Sequence, residues 1–438
     1  MQLYSTDVPI YSLATAYAPS AIAIIRLSGT DTIKLLSSYF SAPAKLVEAK
    51  TNTLVYGLLQ DGEDIVDEVV LAVYKKGHGY TSEEAIEINA HGSLAGIKRI
   101  FKLLEKAGFR QALRGEFSFR AFMHGRIDLT EAEAVEELIN SKSTTSQQRA
   151  LDRLEGKLKN ILTDIEKRIL YILASLEVQL DYAEDEILEE WEFPHEEVLD
   201  IIKKLNTISS TYSANKVFRE GAKVVLAGLT NAGKSSLFNI LTKEERAIVS
   251  PIKGTTRDFI ESYTDFAGIP VRLFDTAGLR DVDDFIEAEG IKRSQKLIDD
   301  ADLVIYLIDP KEEDITFPEC KNLVKVYTKN DIHKNLEGLS VSTVTGDGIG
   351  ELINQVAAIL SKGSFIDEAE VAIDSLRQKE GIEECVQCLE DAIESEFSPV
   401  DIMALYFQAA LGAIGKITGE VTNDDLLDTL FSSFCVGK

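Results

Sequence analysis

Two hydrophobic rhythms alternate along the chain. In residues 21–27 and 66–74, short β-branched runs are broken by Gly, Asp and Asn, the mark of strands in a small mixed α/β unit reaching about residue 120. Leu151, Leu154, Leu158, Ile161, Ile165, Ile169, Ile172, Leu176 and Leu180 then recur three or four residues apart, which predicts one long amphipathic helix with a charged outer face. An isolated coiled coil is the competing reading, weaker because the rest of the chain can cover the stripe. Short apolar runs return at residues 223–227, 271–274, 303–308, 323–327 and 339–341, separated by helical stretches. Such alternation predicts a parallel sheet with helices on both faces. Past Gly363 the helical rhythm resumes in Val371, Ile373, Leu376, Ile382, Val386, Leu389 and Ile393, then in residues 402–414 and 426–434.

Helical stretches on both sides of an α/β unit suggest one helical domain interrupted by an insertion. The expected division is an N-terminal α/β unit at 1–121, a first helical part at 122–217, an α/β nucleotide unit at 218–364 and a second helical part at 365–438. The fold class is thus α/β plus all-α. A helical domain followed by an unrelated helical tail is the alternative. A length of 438 residues agrees with several domains of roughly 100–200 residues each.

Chemistry concentrates in the inserted unit. Residues 228–236 read GLTNAGKSS directly after the apolar run 223–227, so a phosphate-binding loop lies between a strand and a helix. Gly228 and Gly233 let bare backbone N–H groups wrap a triphosphate, Lys234 reaches the β and γ oxygens, and Ser235 offers a hydroxyl to Mg²⁺. Asn231, Ala232 and Ser236 complete the expected GTP contacts of this loop. Asp275-Thr276-Ala277-Gly278 closes the strand at 271–274, where a carboxylate can hold Mg²⁺ through water and a glycine N–H can meet the γ-phosphate. Gly254-Thr255-Thr256 lies between the two and supplies Thr256 as a second hydroxyl for Mg²⁺. In this order and spacing the elements specify a GTPase.

Base choice rests on Thr328-Lys329-Asn330-Asp331, because the Asp331 carboxylate can accept from guanine N1–H and the 2-amino group together. GTPases usually carry Asn-Lys-x-Asp here, and that asparagine ties the base loop to the phosphate loop. Thr328 reaches less far, so weaker nucleotide affinity with retained guanine preference is expected. Ser342 stands where a further loop usually caps guanine O6. Leu279 follows Asp275-Thr276-Ala277-Gly278 and cannot orient a water, which leaves that role to the acidic segment 281–289.

Composition limits the partners. The chain carries 46 basic and 73 acidic side chains, a net −27, which argues against a broad non-specific grip on nucleic acid or anionic membrane. Four scattered cysteines, Cys320, Cys385, Cys388 and Cys435, make no disulfide framework, and Cys385 and Cys388 read as two ordinary helix residues. The opening MQLYSTD lacks the basic and apolar pattern of an export leader, and no apolar run approaches the roughly 20 residues that span a bilayer. A cytoplasmic setting without a membrane is expected.

The set GLTNAGKSS, GTTRD, DTAGLR and terminal FCVGK, with the block GEFSFRAFMHGRIDLTEAEAVEELI at 115–139, resembles the MnmE (TrmE) family of bacterial tRNA-modification GTPases over essentially the whole chain. The resemblance implies a P-loop GTPase domain inserted into a discontinuous helical domain, with an N-terminal tetrahydrofolate-binding domain that also forms the homodimer. It implies K⁺ held by Asn231, Ser250, Ile252 and Thr255, with Ser250, Gly254 and Thr255 also at the nucleotide and Glu287 as the group orienting the attacking water. Arg26, Glu83, Arg126 and Lys438 match the family's ligands for 5-formyl- or 5,10-methylene-tetrahydrofolate, with Arg126 where lysine and Ser82 where glycine are common. Cys435 falls in the family's terminal Cys-Ile-Gly-Lys motif, valine replacing isoleucine here, and is implicated in modification. The implied partners are tRNA and the flavoprotein MnmG, in a heterotetramer whose FAD belongs to the partner, and the implied product is a carboxymethylaminomethyl group on wobble uridine 34. A GTP-dependent switch in ribosome assembly and a one-carbon transferase with a regulatory nucleotide domain remain the rivals. A switch would have no need of the folate-like unit, and a transferase would have to transfer carbon without the partner.

Overall fold

A computed structural model describes residues 4, 6–181, 192–229, 231–243, 260–275, 295–311, 316–333, 337–361, 371–434 and 437. The chain forms two compact units. The first comprises Met1–Glu136, Leu154–Tyr171 and Gln408–Lys438; the second comprises Glu137–Arg153 and Ile172–Phe407.

The first unit is built on a six-stranded sheet of order β3-β4-β5-β2-β1-β6. Its strands are β1 (Ile10–Leu13), β2 (Ser20–Ser28), β3 (Thr53–Asp61), β4 (Asp64–Tyr74), β5 (Ala85–Gly92) and β6 (Arg110–Gln111). All pairs are antiparallel except β1 with β6. One face alternates Ile25, Leu27, Val69, Leu71, Val73, Ile86 and Ile88 into a core closed by Ile100, Leu103 and Leu104 of the helix Leu94–Lys106. That helix is capped by the Ser93 side chain, which accepts from Gly96 N–H. A second, aromatic core joins Tyr4, Phe119 and Leu129 to Leu427, Phe431 and Phe434 from the end of the chain. Tyr4 stacks on Phe119 at 4.7 Å between ring centroids, and Phe431 meets Phe119 edge-on at 5.6 Å.

The second unit carries a five-stranded sheet of order β11-β10-β7-β9-β8. It is formed by β7 (Ala222–Gly228), β8 (Ile260–Phe266), β9 (Ile269–Asp275), β10 (Leu303–Ile308) and β11 (Leu323–Tyr327). Only the edge pair β8–β9 is antiparallel. The two-residue period shows on both faces: Val224, Leu226, Leu303, Ile305 and Leu307 enter one core, while Val225, Ala227, Val304, Tyr306 and Ile308 enter the other. Helices Lys234–Lys243 and Ile349–Leu360 cover the first face, and Leu297 with Ala301 packs on the second.

The chain before this sheet packs on the chain after it. Helix His195–Ala214 lies against helix Leu376–Glu394, Thr211 Oγ1 accepts from Ile373 N–H at 3.0 Å, and His195 Nε2 meets Glu396 Oε2 at 2.5 Å. Arg153, buried, donates to Ala372 O at 2.6 Å and pairs with Asp374 at 3.1 Å and with Glu137. The nucleotide-type sheet is therefore inserted in a helical domain that continues on either side of it, a P-loop architecture with an N-terminal α/β unit.

The hairpin β8–β9 also touches the first helical part. Seven rungs run from Ile260↔Asp275 to Phe266↔Ile269. At its tip Asp265 accepts from Thr144 N–H at 3.3 Å and from Gly268 N–H at 2.5 Å, and along its side the Lys142 ammonium sits 3.4 Å from the Tyr263 ring centroid.

Four expectations need correction. The apolar stripe from Leu151 to Leu180 forms two helices, Thr144–Leu154 and Lys157–Asp181, because Gly156 at φ 83 takes the left-handed conformation that ends a helix. Val371 and Ile373 precede the helix that begins at Leu376 and are buried in irregular chain. Residues 339–341 make a single bridge, Tyr327↔Ser340, rather than a sixth strand. Helix Val400–Thr418, at 19 residues and mean hydropathy 1.3, is long and apolar enough by composition to cross a membrane, contrary to the count of apolar runs. Met403, Phe407, Ala410, Ala413, Ile414 and Ile417 are buried along it, as in a core helix.

Candidate functional site

Three loops meet at the carboxyl ends of β7, β9, β10 and β11, where open α/β sheets place ligands. Gly228 ends β7 at φ 139, and a Cβ there would lie 2.5 Å from Leu307 O of the neighbouring strand. Only glycine lets the chain leave the sheet so close to β10. Asn231 at φ 66 and Gly233 at φ 92 turn the loop back, and helix Lys234–Lys243 starts at once, so the positive end of its dipole faces the loop. Ala232 is buried and Ser236 exposed in this turn.

Lys234 curls over the loop, its ammonium donating to Gly228 O at 2.9 Å and Leu229 O at 2.8 Å. These carbonyls hold the charge at the mouth that a phosphate would occupy. Beside it the Ser235 hydroxyl donates to Asp275 Oδ2 at 2.8 Å, with Asp275 buried at the end of β9. A hydroxyl and a carboxylate in contact at a helix N-terminus are the hard oxygen donors that suit Mg²⁺, so the described residues fit that ion.

The base-side loop follows β11. Asp331 Oδ1 accepts from Ser342 Oγ at 2.7 Å, and Ser342 also accepts from the backbone N–H of Val344 and Thr345 at 3.2 Å. This fixes the carboxylate edge for adjacent donors. Lys329, at φ 61, pairs through Nζ with Asp309 Oδ2 at 2.5 Å, and this ammonium lowers the Asp309 carboxyl below its ordinary value. Buried Thr328 turns its hydroxyl to Ile308 O at 3.3 Å, toward the neighbouring strand. Asp309 was missed in the sequence, although a carboxylate ending LVIYLID mirrors Asp275 ending VRLFD.

The remaining nucleotide-side residues, Ser250, Ile252, Gly254, Thr255, Thr256, Thr276, Ala277, Gly278 and Glu287, lie outside the described residues. Of the four K⁺ positions only Asn231 is therefore described.

A second cluster lies in the first unit. Arg26 Nε donates to Glu87 at 2.8 Å and Nη1 to Gly437 O at 3.4 Å, so the chain end reaches this sheet. Gly437 itself, at φ 91, passes where a Cβ would stand 2.7 Å from Leu13 O. Tyr80 senses the charges of both Arg26 and Arg126, with its phenol raised above the ordinary value by burial and its hydroxyl 2.9 Å from Ser118 Oγ. Arg126 is exposed, whereas Glu83, a residue type that sequence alone would place on the surface, is buried. Glu83 accepts from Ser28 Oγ at 2.7 Å and from Arg120 Nη1 at 3.2 Å, and the buried Arg120 also pairs with Glu116, itself held by Arg110 at 2.5 Å. Two carboxylates and two guanidiniums alternate, which balances the charge inside. A pterin N–H edge requires an acceptor such as a carboxylate, which is the group Glu83 offers. Arg120, Ser28 and Tyr80 were not singled out in the sequence. Cys435 and Lys438 lie outside the described residues.

Ser82, where the family favours glycine, has φ 60. Ser82→Gly is expected to raise unfolding stability by about 0.5–1 kcal/mol in denaturant titration, since a left-handed L-residue is strained by more than glycine's extra chain entropy offsets.

Cys385 and Cys388 both lie on helix Leu376–Glu394. Burial pushes the Cys385 thiol up to about 12, which suits a packed thiol rather than a thiolate ligand.

The family model described as GTP-binding protein TrmE N-terminus matches residues 9–126, and the MnmE helical domain model matches residues 129–435. The tRNA modification GTPase MnmE of Treponema denticola is 40% identical, with 99% of each chain covered. That of Aquifex aeolicus is 38% identical over 98% of this chain and 99% of its own. Among solved structures, the G domain of the T. maritima FeoB iron transporter is 28% identical with a TM-score of 0.24, covering 32% of this chain and 98% of that one. That score carries no weight for the fold, which the strand order establishes by itself. Relatives aligned from end to end, with both flanking domains matched, leave one conclusion: the chain belongs to the MnmE family of tRNA modification GTPases.

Proposed function

We propose that this chain is a K⁺-stimulated GTPase which, as a homodimer and together with the flavoprotein MnmG, adds a carboxymethylaminomethyl group at C5 of wobble uridine 34 in certain tRNAs in the cytoplasm. The observation that carries this reading is the Ser235–Asp275 pair at 2.8 Å beside the glycine-bounded phosphate loop, in a chain of this family. The proposed division is a folate-binding and dimerising domain at 1–121, a G domain at 218–364, and helical parts at 122–217 and 365–438.

In the G domain, the backbone of Asn231, Ala232 and Gly233 binds phosphate oxygens while Lys234 exchanges its carbonyl partners for the β and γ oxygens. Ser236, Ser250, Gly254, Thr255, Thr276, Ala277 and Gly278 add contacts. Ser235 and Thr256 are the proposed Mg²⁺ ligands; bound Mg²⁺ supplies neutralisation of charge on the transferring phosphoryl group. Asn231, Ser250, Ile252 and Thr255 are the proposed K⁺ ligands; bound K⁺ supplies the positive charge that an arginine finger gives elsewhere. Glu287 orients the attacking water, while Lys329, Asp331 and Ser342 select guanine. Hydrolysis does no carbon chemistry. It changes how two G domains meet, and the helical domain carries that change to the partner.

In the N-terminal domain, Arg26, Glu83, Arg126 and Lys438 bind 5-formyl- or 5,10-methylene-tetrahydrofolate, with Glu83 accepting the pterin N–H edge. FAD resides on the partner, and Cys435 is assigned to the modification step.

GTP turnover by the full chain is expected to be about tenfold or more faster in K⁺ than in Na⁺ at equal ionic strength, as removal of a transition-state cation demands. Equal turnover in the two salts removes the K⁺ reading. Nucleoside mass spectrometry of tRNA from cells lacking the gene is expected to show loss of the wobble modification; an unchanged profile favours a switch in ribosome assembly.

A further inference from the structure

We infer that Asp309 is a positioning residue for guanine-nucleotide binding, anchoring the base loop to strand β10 in place of the usual asparagine tie to the phosphate loop. The inference rests on the reading of Asp331 as the guanine acceptor.

Thr328 occupies the position where GTPases of this class carry asparagine. Its backbone N–H donates to Ile308 O at 2.9 Å and its hydroxyl to the same oxygen at 3.3 Å, so both polar groups serve β10. Among the described residues its side chain makes no bond to the phosphate loop. The next residue of β10's exit, Asp309, then takes the Lys329 ammonium at 2.5 Å. The aspartate side chain is 14% exposed against 38% for the lysine, so the acceptor is fixed within the fold and the lysine comes to it.

Lys329 needs such a hold. Its φ of 61 lies in the left-handed region, where an L-residue persists only if its surroundings over-determine it. Ile332 and His333 N–H both donate to Lys329 O, which closes the turn on one side, and Asp309 closes it on the other. Two residues on, Asp331 is aimed by this same turn and by Ser342.

Strand β10 is itself in parallel register with β7, with Leu307 opposite Gly228. Asp309 thus stands two residues beyond the partner of the first phosphate-loop glycine. The base loop is referred to the phosphate loop through β10, by a charge-assisted bond that substitutes for the missing amide.

The test is a double-mutant cycle on the full chain, reading the dissociation constant and dissociation rate of Mg²⁺–GDP. Asp309→Asn is expected to weaken binding about fivefold, mainly through faster dissociation, as loss of a charge-assisted hydrogen bond implies. Asp309→Glu, which keeps the carboxylate for the Lys329 ammonium, should stay within about twofold. Thr328→Asn should restore most of the loss in the Asp309→Asn background and gain less in the native one, because a direct tie makes the indirect one redundant. Lys329→Met, which keeps the stem and removes the ammonium, should leave Asp309→Asn with no further effect. Unchanged affinity in Asp309→Asn, or equal factors for Thr328→Asn in both backgrounds, overturns the inference. If Asp309→Asn does not fold, equal affinities of Lys329→Met and the native chain overturn it instead. The base reading fails separately, if the native chain binds ADP as tightly as GDP.

Discussion

Asp331→Asn is expected to lower GTP affinity by about 100-fold or more and to raise affinity for xanthosine triphosphate. The carboxylate, aimed by Ser342 at 2.7 Å, presents two acceptors to the N1–H and 2-amino donors of guanine. An asparagine offers one acceptor and one amino donor, which opposes the guanine amino group but matches xanthine, whose C2 carries an oxygen. Sites built around base donors discriminate by large factors, because a mismatch leaves buried polar groups facing each other unpaired. Competition titrations with GTP, ATP and xanthosine triphosphate check this. Retention of native guanine preference in the variant removes Asp331 from the base site.

Gly228→Ala is expected to destabilise the second unit by about 2–4 kcal/mol and to abolish measurable nucleotide binding, through two independent costs. The backbone at φ 139 is a conformation that L-residues rarely adopt. The added methyl also meets Leu307 O at 2.5 Å, a backbone oxygen at the last rung of the parallel β7–β10 ladder that cannot swing aside as a side-chain tip can. Parting β7 from β10 to admit it displaces the loop that Lys234 and Ser235 start from. Thermal melts with and without Mg²⁺–GTP separate the two costs; native nucleotide stabilisation in the variant refutes the steric argument. Gly233 differs, since nothing lies within 4 Å of its Cβ direction and only its φ of 92 resists substitution.

How much of this was legible depends on range. Strands β10 and β11 lie at the residues their apolar runs predict: β10, buried on both faces, writes itself as an unbroken apolar run, and the edge strand β11 buries Val324 and Val326 on either side of exposed Lys325. The same logic failed at residues 339–341, where only Val341 is buried and the run pairs only at Ser340. Periodicity could not see the break at Gly156, since the stripe continues in phase across it, and only the glycine marks the left-handed turn. The phosphate loop was readable because its chemistry is contiguous. The Glu83–Arg120–Glu116–Arg110 chain was not, because residues 83 and 120 meet only through the folded sheet, and isolated charges resemble solvated ones. Asp309 was overlooked for the same reason, its partner Lys329 lying twenty residues on in the loop after β11.

The β8–β9 hairpin has a mechanical meaning. One end holds Asp275, the carboxylate that accepts from Ser235 beside the phosphate loop, and the other is fastened through Asp265 to Thr144 at the start of a helix. An antiparallel ribbon of seven paired rungs yields little along its length, so it behaves as a connecting rod whose two ends travel together. In the proposed GTPase cycle, a shift of the β9 terminus on phosphate loss is expected to travel along this ribbon and reach helix Thr144–Leu154 at its first residue.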